Sequence, residues 1–234
     1  MSHLDLNFDS LSELHDSVNE LLHSPNTKLE IIHHGQEKYA HEVSEASLKA
    51  ADSCAAAKDL LLLAKDHLQN LQSSFRRIAA TNEATTDHNF APHRLPRKQL
   101  KKAILKRLDS IKGMKNTFAA ASPPEDPRLM VVVNLLKEVR STTLSIVGSL
   151  LSLIAIPNSD RKIDSGRKDA IFRIKLTRVD SLSFWEKRGA SDVRAAMKRL
   201  EEVEMVVEDM EAELERMFRR LIRTRASLLN ILTS

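Results

Sequence analysis

Residues 193–232 read VRAAMKRLEEVEMVVEDMEAELERMFRRLIRTRASLLNIL. Within this stretch Val193, Ala196, Leu200, Val203, Val207, Met210, Leu214, Met217, Leu221, Thr224, Leu228 and Ile231 follow one another at alternating spacings of three and four. That is an unbroken heptad seam with one polar member, Thr224, and it predicts a helix that must bury one stripe against other helices. Started at Ser183, with a rise of about 1.5 Å per residue, such a helix would run to roughly 60 Å or more. The rest of the chain has to pack along it.

Composition agrees with this reading. Five glycines, seven prolines and 4% aromatic residues leave little material for the turns and core of a β fold, and 234 residues suffice for one sizeable domain. A formal charge of +4 at pH 7 is too mild to point to nucleic acid, which is not an expected partner. Cys54 is the one cysteine, so no internal disulfide forms, in keeping with a reducing compartment. No Asn-x-Ser/Thr acceptor occurs, and the N-terminal residues have neither secretory nor transit-peptide character, which makes a cytoplasmic protein the default. The uncharged stretch from Ser141 to Ser159 holds five serines, two threonines and Pro157, a poor match to a bilayer span of ~20 mostly apolar residues.

Four Ser/Thr-x-x-Glu boxes precede apolar periodic runs, at Ser10 with Glu13, Thr27 with Glu30, Ser122 with Glu125 and Ser183 with Glu186, and each is a candidate helix start. A second seam runs through Val43, Ser47, Ala50, Cys54, Ala57, Leu61, Ala64, Leu68, Leu71, Phe75 and Ile78, small in its first half and large in its second, with Gly35 as a kink upstream. A third, the most apolar, runs through Leu129, Val132, Leu136, Val139, Thr143, Ile146, Leu150 and Leu153 and belongs in the centre of a bundle. The expected fold is all-α. It is an elongated bundle of four long helices, near 27–80, 97–118, 125–156 and 183–233, packed as in a coiled coil. A short N-terminal helix at 10–23 completes a single domain over 1–234, with loops at about 81–96, 119–126 and 157–182.

Catalytic patterns are missing: there is no phosphate-cradling glycine loop, no His-Glu-x-x-His, no Gly-x-Ser-x-Gly and no Cys-x-x-Cys. No enzymatic activity and no cofactor are expected. His33, Glu37 and His41, with His34 adjacent, stand at spacings of four on what would be one helical face, but no third or fourth ligand is in sight and a solvated polar face is the favoured reading. Cys54 sits in an alanine-rich seam, where a small buried hydrophobe is the expected role.

Charge distribution says more. Between His93 and Lys115 stand nine cations, Arg94, Arg97, Lys98, Lys101, Lys102, Lys106, Arg107, Lys112 and Lys115, against one anion, Asp109, while Leu100, Ile104, Leu108, Ile111 and Phe118 keep helical spacing. A helix of this kind can lie on an anionic membrane, its cations on the headgroups and its apolar stripe inserted, or in the groove of an acidic partner. A competing partner lies within the chain: Leu200 to Arg216 encloses eight anions and no cation, and internal pairing of the two helices is the favoured alternative. A second basic cluster follows, in which Arg216, Arg219, Arg220 and Arg223 share a face suited to solvent or to an anionic partner.

The run from Met217 to Leu232, MFRRLIRTRASLLNIL, resembles the closing signature of a plant family built on a domain of unknown function and related to the BYPASS proteins. Ser17 to Leu22 ahead of Pro25, Ala57 to Leu61 continuing through Leu68 to Arg77, and Arg97 to Ile104 agree with the same pattern. Two places depart from it: the sequence starts almost directly at the first helix, where family members usually begin with a longer leader rich in Ser, Arg and His, and Arg161 to Trp185 is not matched to the pattern. The resemblance implies a plant-specific helical protein without assigned catalytic activity, linked to root and shoot development, and it carries over no catalytic residue. The leading expectation is a non-enzymatic interaction or scaffold protein in plant developmental signalling, with a protein partner not yet identified. Its rival is a peripheral membrane protein docking on anionic lipid through 97–115, in vesicle trafficking. The heptad seam can close within one chain or between two, so a homo-oligomer is open.

Overall fold

The structure, a computed structural model, describes residues 3–33, 37–81, 87–116, 127–154 and 190–233. The described residues are helical: α1 is His3–His23, α2 Pro25–His33, α3 Glu37–Thr81, α4 Asp87–Asn116, α5 Pro127–Ile154 and α6 Ala190–Leu232. This is an all-α bundle whose core is made of the seams read from the sequence. All twelve seam positions of α6 and all eleven of α3 are buried, as are Val132, Leu136, Val139, Thr143, Ile146 and Leu150 of α5. The two threonines of the seams bond to their own helices, Thr224 Oγ1 to the Arg220 carbonyl at 3.1 Å and Thr143 Oγ1 to the Val139 carbonyl at 2.7 Å, so these hydroxyls enter the core without an unmet donor.

The residues gather into two compact units. One comprises Met1–Ala57, Asp109–Ser149 and Glu213–Ser234. Its core sets Leu11, Val18 and Leu22 of α1 and the small half of α3 (Ala46, Ala50, Ala51, Cys54) with Val132 to Val147 of α5 and Leu214 to Ile231 of α6. Arg225 of α6 reaches Glu45 of α3 at 3.5 Å. The buried Arg140 of α5 donates to the Met114 carbonyl at 2.5 Å, satisfying one of the last carbonyls of α4 with a cation, the sign a helix C-terminus favours.

The other unit comprises Lys58–Leu108 and Leu150–Ala212. The large half of α3 (Leu61, Leu68, Leu71, Phe75) packs here with Leu100 and Ile104 of α4, Leu150 and Leu151 of α5, and Val193 to Met210 of α6. Lys65 meets Glu208 at 2.6 Å, while Gln69 and Gln72 meet Glu204 at 2.7 and 2.9 Å. The numbers rise on α3 as they fall on α6, so the two run antiparallel in this unit.

Three helix starts differ from the sequence reading. α1 begins at His3, so Ser10 is an interior residue rather than a cap. α2 begins at Pro25, with Ser24 in the cap position and the proline in the first turn, where its missing N–H has no helical acceptor to lose; Thr27 is thus inside the helix. The stretch expected to be a loop at 81–96 is helical from Asp87 on, with Pro92 and Pro96 inside α4. The boxes at Ser122 and Ser183, the Gly35 kink and the loops 119–126 and 157–182 lie outside the described residues.

Candidate functional site

α4 forms against its own local preferences. Pro92 and Pro96 remove two amide donors, which would have bonded the carbonyls of His88 and Pro92, and a helix with two such gaps needs support from outside. His93 supplies it. Its buried ring meets Ser74 Oγ of α3 through Nε2 at 2.9 Å, Arg77 donates to the same oxygen at 2.9 Å, and the His67 ring stands edge-on at 6.1 Å between centroids. Burial, then His67, then Arg77 hold the His93 pKa below its ordinary value, so the ring meets Ser74 as a neutral imidazole. This Ser–His contact has the spacing of a nucleophile and its base, but Ser74 is buried and already held by Arg77, and the contact serves to dock α4 on α3. Sequence reasoning missed it because the prolines around His93 read as loop.

Once docked, α4 divides the basic segment between two sides. Leu100, Ile104 and Ile111 are buried and Leu108 is half-buried, so the apolar stripe expected to enter a membrane is core. Arg97, Lys101 and Arg107 lie at its margin, half-buried, each with an interaction of its own. Lys98, Lys102 and Lys106 are exposed, and among the described residues no ion pair reaches them. Between and beside them stand Leu95 and Leu105, 63% and 48% exposed, which the sequence reading did not single out because neither belongs to the periodic stripe. Further along, Lys112 pairs with Asp109 at 3.5 Å on a fully wet surface, a contact of little energy, and the side chain of Lys115 lies outside the described residues.

Four of the eight anions in the acidic run of α6 are engaged with α3 or with their own helix. Glu208 is taken by Lys65 and Glu204 by Gln69 and Gln72, all on α3, while Glu213 and Glu215 pair with Arg216 and Arg219 one turn along their own helix. Those contacts also answer for half of the second basic face. Of its four arginines, Arg216 and Arg219 are neutralised locally, Arg220 is half-buried beside His15, and Arg223 is exposed.

His33 closes α2 and Glu37 opens α3, so the histidine face expected on one helix is divided between two, and His41 is exposed. Among the described residues no group of His, Cys, Asp or Glu is assembled to hold a metal ion. Cys54 is buried among the small residues of α3, as its seam position predicts. No described helix is long and apolar enough to cross a membrane.

A family model described as Protein BPS1 matches residues 7–231, and the match runs through the Arg161–Trp185 stretch that seemed to depart from the pattern. The chain belongs to the BPS1 family. That is the BYPASS-related family indicated by the C-terminal signature, and it is not a known enzyme family. No curated protein and no solved structure matches this BPS1-family chain.

Proposed function

We propose that this BPS1-family chain is a non-enzymatic helical interaction protein of plant developmental signalling, and that its recognition surface is the exposed face of α4. The family supplies the developmental link. One observation carries the rest: Lys98, Lys102 and Lys106 form a row at i, i+4 and i+8, exposed, with no ion pair among the described residues. Like charges at this spacing work against the helix by about 0.2–0.5 kcal/mol per pair. Four glutamates of the acidic run, Glu204, Glu208, Glu213 and Glu215, are engaged with α3 and with arginines of α6. A row of lysines kept in solvent at a small cost to the fold is a surface awaiting an anion.

The test is rescue of growth in a plant line lacking the protein. Wild-type chain restores root and shoot growth; the triple variant K98E/K102E/K106E, matched for abundance and for helical circular dichroism, does not. Equal rescue by the folded variant would overturn the reading. A second reading, peripheral attachment to membranes in vesicle trafficking, is favoured by the two exposed leucines set among the lysines.

A further inference from the structure

We infer that the α4 face formed by Leu95, Lys98, Lys102, Leu105 and Lys106 docks on an anionic lipid surface, with the helix lying along the membrane plane. The inference rests on the reading of this face as the recognition surface and names its partner. Leu95 and Leu105 are ten residues apart, roughly 15 Å along the axis, and at about 100° per residue they lie within a quarter turn of each other. Lys98 and Lys102 fall between them and Lys106 just beyond, so the face presents two apolar points flanking a line of ammonium groups.

Three features favour lipid over a protein groove. Among the described side chains of the segment the exposed cations are all lysines, compact charges on long flexible stems that keep their water and suit a fluid layer of headgroups, whereas protein interfaces favour arginine and are depleted of lysine. Two arginines of the segment, Arg97 and Arg107, are turned to the half-buried margin, where each has an interaction already, and the side chain of Arg94 lies outside the described residues. The buried stripe opposite, Leu100 and Ile104, fixes which side faces out, so the depth reached is that of two leucine side chains. The anion on this side, Asp109, lies past Lys106 and is paired with Lys112.

Flotation of the full chain with vesicles tests this directly. The vesicles are phosphatidylcholine alone, or phosphatidylcholine mixed with an equal amount of phosphatidylserine, each at low and high ionic strength. Wild type floats with the serine-containing vesicles only, and salt releases it. K98E/K102E/K106E loses about 100-fold in apparent affinity. L95S/L105S loses about tenfold and keeps the salt dependence. Every changed position is exposed, and circular dichroism confirms that each variant is folded. Wild type that stays with the protein fraction on every vesicle, or a charge variant that floats as well as wild type, overturns the lipid assignment. Binding to polyglutamate in place of vesicles would also overturn it, while leaving the α4 face as the recognition surface. Equal rescue of growth by the folded triple variant, by contrast, would remove the surface itself.

Discussion

His15 and His93 are two histidines in the same circumstance with different company. Both are buried, both have their pKa lowered first by that burial, and each faces an arginine, Arg220 for His15 and Arg77 for His93. His93 bonds Ser74 across to α3, whereas among the described residues neither ring nitrogen of His15 finds a partner. The comparison separates two uses of one residue type. At His93 the polar atom directs a contact that the local sequence resists. At His15 the imidazole fills a place in the α1 stripe between Leu11 and Val18 and its nitrogens are a burden there.

The widest gap between the two should open with acid. His15 is lowered from 6.5 to about 4, so above pH 6.5 it is neutral whether folded or unfolded and imposes no penalty. As pH falls from 6.5 towards 4 the unfolded chain takes up a proton that the folded chain refuses, and stability declines, by about 3 kcal/mol at the end of the window. Denaturant titrations across that range should show the decline, and His15→Leu should remove most of it while leaving stability at pH 7 equal or about 1 kcal/mol higher. A His15→Leu protein with an undiminished acid slope would break the comparison. His93, whose shift has the same sign, contributes to the residual slope.

Substitution at His93 should act in the opposite sense at neutral pH. His93→Ala is expected to destabilise by about 2 kcal/mol, through lost packing and the loss of the Ser74 contact. Amide exchange should quicken over the first turns of α4 and leave α6 protected, since α4 there lacks two of its own donors. Smallest is Ser74→Ala, about 1 kcal/mol, and it should be markedly non-additive with His93→Ala in a double-mutant cycle. Additivity would mean that the 2.9 Å contact contributes nothing to docking.

These residues also show how far a linear reading reaches. The α6 and α3 seams were legible to the last position because a stripe of apolar side chains at threes and fours has one stable use. The start of α4 was not, because its helical state depends on Ser74 and His67, which are twenty residues or so away in sequence and adjacent only after folding. The start of α1 at His3 was missed because a capping pattern at Ser10 outweighed the residues before it. For the candidate surface, nine cations in one segment could be counted in advance. Which of them would form the exposed row of Lys98, Lys102 and Lys106 depended on where the core stripe of α4 turned, and the leucines among them fell outside any period.

The placing of His15 beside Arg220 bears on how the molecule is made. Two hundred and five residues separate them, and at a synthesis rate of about 5–20 residues per second the first helix waits roughly 10 to 40 s before its neighbour on α6 has been added. The unit holding them needs three separate stretches of chain, ending with Glu213–Ser234, while the other has its last residue at Ala212. On the ribosome, then, the unit bearing the lysine row has all its residues first, and the unit holding α1 is completed only when Glu213–Ser234 has been added.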